Sequence, residues 1–145
     1  MDAGGPAQPD RAGGVSAAAV GDFLERFSGG PEALASRLDA DVLYRAADLE
    51  PLRGRLAVER LWRRLFRSYA VIEVSPVLMV EDGDIVLARQ RQTFRPVSGE
   101  PFELNSIAVF VVRDGRIVDW RDVFAPGDLP ADHEALWRRL WRARW

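Results

Sequence analysis

The sequence predicts an α+β fold: a mainly antiparallel sheet packed on N-terminal helices, with a C-terminal helix as its lid. Three observations predict it. Helical apolar spacing occurs before Phe66 and again after Ala131, while residues 71–124 are dominated by period-two alternation. The strand runs are split by Glu81-Asp82-Gly83-Asp84, by residues 96–101 and by Asp114-Gly115. Those turns are too short for the crossover helices of a parallel sheet.

Taken in order, residues 1–14 are rich in Gly, Ala and Pro without an apolar period, and read as a disordered tail. Residues 15–145 read as a single domain. Residues 15–27 form a helix with Val20, Phe23, Leu24 and Phe27 on one side. Ser28-Gly29-Gly30 stops it, and Pro31 suits the first turn of a short second helix that buries Leu34 and Leu38. Residues 40–47 read as a strand with Val42 and Tyr44 on one face, followed by a polar loop to Gly54. Residues 56–66 form an amphipathic helix, with Val58, Leu61, Trp62 and Leu65 as its stripe and Glu59, Arg60, Arg63 and Arg64 solvated. Three strands follow at 71–80, 85–95 and 102–112. Pro76 marks a bulge or an edge in the first. Residues 131–145 form a short helix with Leu136, Trp137, Leu140 and Trp141 on one side and arginines on the other. This is the helix expected to cover the core or a pocket.

Composition removes several classes of function. The chain has 145 residues, net charge −2, no Cys and one His. All 20 basic residues are Arg, which excludes a Schiff-base lysine and a phosphate-loop lysine. Thiolate chemistry, disulfides and a multi-histidine metal site are excluded as well. The charge balance provides no case for nucleic acid, and no apolar run is long enough for a membrane span. No signal-peptide pattern opens the chain, so the expected setting is cytoplasmic. No cofactor and no metal are expected.

The final strand carries the first candidate. After the Asp114-Gly115 turn, Val118, Trp120, Asp122 and Phe124 share one face by alternation, with Ile117, Asp119, Arg121 and Val123 on the other. Asp122 is then the lone carboxylate on an apolar face, where its pKa rises. In residues 85–94 the alternation places Gln90 and Gln92 on a face with Val86, Ala88 and Phe94. Buried amides need partners, whether backbone, water or a ligand. The strand 104–112 is apolar on both faces, so both are expected to be covered, one by helices and the other by a second subunit. His133, beside Asp132 at a helix start, is expected to face solvent, with Asp132 as the cap.

Residues 115–124, with their Trp120-Arg121-Asp122 core, together with Tyr44, the loop to Gly54 and the helix after it, resemble the limonene-1,2-epoxide hydrolase family. That family lies within the nuclear-transport-factor-2-like, SnoaL-like group, and the similarity runs over residues 20–124. The resemblance implies a cone-shaped, strongly curved sheet wrapped around the N-terminal helices. It also implies an acid at Asp122 and the water-holding tyrosine at Tyr44. The arginine and second acid of that family fall at Gln90 and Gln92, and its asparagine at Ala46. In the ketosteroid isomerase pattern the base falls near Arg45 and the protonated acid near Ala108.

One acid, two neutral amides and a phenol can hold a substrate and protonate an oxygen, but they ionise water poorly. The expected function is a cyclase or isomerase of natural-product biosynthesis acting on a hydrophobic, polyketide-like or terpenoid molecule. Epoxide-opening or [4+2] ring closure would be assisted by Asp122, Tyr44, Gln90 and Gln92. Trp62, Phe66, Leu78, Leu104, Ser106, Trp120 and Phe124 are the expected pocket wall. The alternatives are an epoxide hydrolase and a non-catalytic binding module. The expected assembly is a homodimer through the outer sheet face.

Overall fold

The computed structural model describes residues 14–142. Nearly all of the expected tail, and the last three residues of the expected C-terminal helix, lie outside the described residues.

Helix α1 (Val15–Glu25) runs into a 3-10 turn (Arg26–Gly29) and the short α2 (Pro31–Ala35). Strand β1 (Leu38–Ala46) and the two-residue β2 (Leu52–Arg53) precede α3 (Arg55–Ser68). Four long strands follow: β3 (Tyr69–Asp82), β4 (Ile85–Pro96), β5 (Phe102–Arg113) and β6 (Arg116–Val123). A 3-10 turn (Pro126–Asp128) then leads to α4 (Ala131–Arg142). The strands form one curved six-stranded sheet in the order β2-β1-β6-β5-β4-β3. Every neighbouring pair is antiparallel except β1 with β6, which runs parallel. The expected antiparallel sheet is therefore the majority pattern. The long connection through α3 and three strands lets β1 lie beside the last strand in the same direction.

The concave face is filled by aromatic side chains. Trp120 sits at the centre, with Tyr44 stacked at 3.9 Å, Trp62 stacked at 6.0 Å and Phe23 edge-on at 4.9 Å. Val20, Phe23, Leu24 and Phe27 of the first helical segment and Val58, Leu61, Trp62 and Leu65 of α3 are all buried, as their spacing predicts. Asp22 joins two segments, accepting Nε–H bonds from Arg26 at 2.6 Å and from Arg37 at 2.7 Å. Both guanidinium groups hold its carboxyl below the usual range, Arg37 most strongly. Arg37 also donates to the carbonyl of Gly115 at 3.0 Å. That carbonyl belongs to the Asp114-Gly115 turn, where both residues have positive φ, 52° and 74°, as a tight hairpin requires.

Two bulges correct the expected faces. In β3, Ile72 and Val74 point inward and Pro76 pairs with Gln90. The register then shifts, and Leu78 pairs with the outward Arg89. The extra residue, Val77, reverses the alternation, so Met79 turns toward the core in place of Leu78. Leu78 is 54% exposed and is not a pocket wall. In β6 a shift between Val111 and Val112 makes Val118 the extra residue. Ile117, expected outside, is buried, and Val118, expected inside, is only half-buried.

Candidate functional site

The parallel pairing of β1 with β6 places Tyr44 opposite Trp120 and Ala46 opposite Asp122. On the other side, β5 places Ala108 opposite Asp122, and β4 places Gln90 opposite Ser106 and Gln92 opposite Leu104. Asp122 therefore lies between two alanines, which leave its carboxyl room to reach the next strands. Its main chain is anchored by Ala47 N–H, which donates to the Asp122 carbonyl at 2.9 Å.

Asp122, Gln90, Gln92 and Ser106 form one buried polar cluster. Gln92 Nε2 donates to Asp122 Oδ2 at 3.0 Å and to Ser106 Oγ at 2.9 Å, and Gln90 Nε2 donates to Ser106 Oγ at 3.1 Å. All four are at most 5% exposed. Burial pushes the Asp122 carboxyl up to about 6, while the nearby Ser106 hydroxyl and the hydrogen bond from Gln92 hold part of that rise back. No cation opposes it: Arg89 and Arg91 point outward on β4. Asp122 is the one charged side chain that is fully buried among the described residues. Asp122 Oδ1 and Gln90 Oε1 have no protein partner.

Tyr44 faces the same interior. Burial keeps its phenol protonated far above the ordinary range, and the Asp122 charge adds to that effect. Of the expected wall, Leu104 is buried close to the cluster, in register with Gln92, whereas Phe66 and Phe124 are partly buried at the edge of the core. Trp62 and Trp120 belong to the central aromatic stack. Ser106, expected as wall, is instead the hub that both amides share. Arg45 lies on the outer side, paired with Asp119 at 3.1 Å, so no base stands where the ketosteroid isomerase pattern would put one.

Helix α4 covers one end of this face. Trp137 packs against Phe94 at 5.4 Å and Phe124 at 6.0 Å, and Trp141 lies 5.9 Å from Tyr44. Trp137 Nε1 donates to Tyr69 Oη at 2.9 Å, Trp141 Nε1 to the Glu50 carbonyl at 3.1 Å, and Arg138 pairs with Asp48 at 3.3 Å. His133 departs from its expected solvent position. It is half-buried, stacked on Tyr69, and its Nδ1 lies 2.7 Å from Tyr69 Oη. Asp132 lies inside the first turn of α4, not at its cap. Tyr69 was not singled out in sequence. Its position at the junction of α3 and β3 hides it between helical and strand patterns. Burial pushes its phenol up to about 12.

Two hollows lie at the loop after β1. A crevice between Leu49, Phe124, Leu129 and Trp137 holds only 10 Å³, less than a water molecule occupies. Beside it, a depression of 380 Å³ is lined by Ala47, Asp48, Leu49, Asp122 and Phe124, with Arg45 and Arg121. Among the described residues no three His, Cys, Asp or Glu side chains gather to hold a metal.

A family profile described as the SnoaL-like domain matches residues 20–120. The chain belongs to the SnoaL-like domain family. Solved structures agree on the fold. An LEH-like epoxide hydrolase of M. tuberculosis is 25% identical, with a TM-score of 0.71, over 84% of this chain and 85% of that one. A protein of Pseudomonas putida KT2440 assigned as a polyketide cyclase is 16% identical, with a TM-score of 0.70, over 80% and 96% of the two chains. TerC, co-crystallised with polyporic acid, is 18% identical, with a TM-score of 0.70, over 83% and 97%. This SnoaL-like domain thus carries the cone-shaped α+β fold expected from its sequence. Structures named for cyclases and for an epoxide hydrolase share that fold.

Proposed function

We propose that the chain is a cofactor-independent cyclase or isomerase acting on a hydrophobic, polyketide-like or terpenoid small molecule, with Asp122 as its general acid. One observation carries the reading. A carboxyl group raised to about 6 is buried among neutral amides, and no other charged side chain is buried with it among the described residues. Such a group is protonated below about pH 6, keeps a protonated fraction close to neutrality and can pass that proton to an oxygen. It lacks a charged partner to turn water into a nucleophile. Ring closure needs none, because the substrate supplies its own nucleophile. The Asp122 proton goes to the substrate oxygen as the new bond forms, the proton released by the substrate's nucleophile returns to the Asp122 carboxylate, and the product is an isomer of equal mass. Gln90, Gln92 and Tyr44 hold the substrate, and Leu104, Phe124 and the α4 tryptophans exclude water.

Turnover of polyene, enol and epoxide substrates, followed by mass and retention time, tests the reading. Conversion at constant mass that is lost in Asp122→Asn is expected. Full activity in that variant overturns the assignment. Epoxide hydrolysis is the second reading, favoured by the likeness to the protein named as an LEH-like epoxide hydrolase. Incorporation of heavy oxygen from labelled water would establish it in place of ring closure. Binding without any conversion would leave a small-molecule binding module.

The working form proposed is a cytosolic homodimer, joined through the outer sheet face. Leu78, Val80, Leu87, Ile107 and Val123 leave that face apolar, each 40–54% exposed. No helix among the described residues is long and apolar enough to cross a membrane.

A further inference from the structure

Ser106 sets the orientation of both glutamine amides. A hydroxyl has one hydrogen and two lone pairs. Ser106 also lies close enough to Asp122 to help keep its carboxylate charged. Both lone pairs are met by amide N–H groups, from Gln90 at 3.1 Å and from Gln92 at 2.9 Å. Each glutamine therefore turns its nitrogen toward Ser106, and Gln92 uses its second N–H on Asp122 Oδ2. Two oxygens are left over, Gln90 Oε1 and Asp122 Oδ1, both inside the fold and neither with a protein donor. Asp122 is also among the residues that line the 380 Å³ depression at the loop after β1.

We infer that the ligand of this site presents a hydroxyl group, as an enol, phenol or alcohol on an apolar skeleton, to Gln90 Oε1 and Asp122 Oδ1. The inference rests on the reading of the concave face as a substrate site and narrows its substrate class. A hydroxyl suits both states of the carboxyl group. It donates to the ionised form. When Asp122 is protonated, the hydroxyl accepts from Asp122 and donates to Gln90 Oε1. An ether or epoxide oxygen has lone pairs only, so Gln90 Oε1 stays unpaired whichever state Asp122 takes. A protonated amine also donates.

Binding of four probes to the wild-type protein at neutral pH, read by calorimetry, tests this: naphthol, methoxynaphthalene, tetralin oxide and aminotetralin. Naphthol is expected to bind about ten-fold tighter than the ether and the epoxide. In Gln90→Met, which keeps the length of the side chain without the carbonyl, the preference should fall at least three-fold, roughly. If that variant does not fold, the wild-type series alone decides. Equal binding of naphthol and methoxynaphthalene overturns the hydroxyl assignment but leaves the catalytic reading, which fails separately if Asp122→Asn retains turnover. Tighter binding of aminotetralin overturns it in favour of a cation. Binding of none of the four overturns it together with the reading of the concave face as a ligand site.

Discussion

Gln92 Nε2 donates to Asp122 Oδ2 at 3.0 Å, while Asp122 Oδ1 has no protein donor at all. The carboxyl group is held at one oxygen and left open at the other. A fully bonded carboxylate would have its pKa driven down. Here burial dominates and the group rises to about 6.

That rise has a stability consequence of definite sign. The folded state holds the Asp122 proton more tightly than the unfolded state, whose carboxyl keeps the ordinary value of 3.8. The stabilising contribution is complete below that value and is lost as pH rises through about 6. The full span is about 3 kcal/mol, with about 2 kcal/mol of it between pH 4.5 and 7.5. Asp122→Asn removes this dependence. Urea unfolding of both proteins across that range should show the variant gaining on the wild type as pH rises. A constant difference would mean that Asp122 is not perturbed.

The catalytic pH profile should follow the same group. As a general acid, Asp122 gives a kcat/KM that falls above about pH 6. Asp122→Asn should lower turnover by about 10²–10⁴-fold. In Gln92→Met a bond that favours the charged form is lost, so the descending limb moves to higher pH. The same change leaves Ser106 with one donor fewer and should cost about 1–3 kcal/mol. A profile unchanged in Gln92→Met would separate Asp122 from the titration.

The anchoring of α4 can be weakened without emptying the core. Trp137→Phe keeps an aromatic ring against Phe94 and Phe124 but removes the N–H bond to Tyr69. A loss of about 1 kcal/mol is expected. Amide exchange should quicken across residues 131–142 and stay unchanged in β5. Equal quickening throughout would show that the bond supports the whole fold and not the lid alone.

The outer sheet face provides a separate test. Leu87→Glu places a charge on an apolar surface that faces away from the Asp122 cluster. Light scattering should give a dimer for the wild type and a monomer for the variant, with near-UV spectra alike. A monomeric wild type would remove the sheet-to-sheet dimer.

Much of this site is legible in the sequence because alternation along a regular strand is a local property. Gln90, Gln92, Trp120 and Asp122 all point inward, as period two predicts. Alternation fails where a strand takes in one extra residue. Val77 turned Leu78 outward and Val118 turned Ile117 inward, and only the hydrogen-bond register of the neighbouring strand reveals either shift. His133 escapes a local reading because its environment comes from Tyr69 and Phe102, both far from it in sequence.

By itself, then, the chain determined most of its elements, its apolar faces outside the two bulges and one isolated carboxyl group, since each follows from residue type and spacing. The two-residue β2, expected as loop, and Leu38, expected in the second helix but found in β1, were set by pairing with neighbouring strands. Tertiary structure alone decided that Ser106 would join the two amides, that Ala46 and Ala108 would flank Asp122, and that α4 would lie beside Tyr44 and Phe94. Those relationships arise between strands distant in sequence. The physical reason is that hydrogen-bond orientation and burial depend on which side chains meet. That is also why Asp122 changed from a carboxylate on an apolar face into an acid bonded at one oxygen and open at the other.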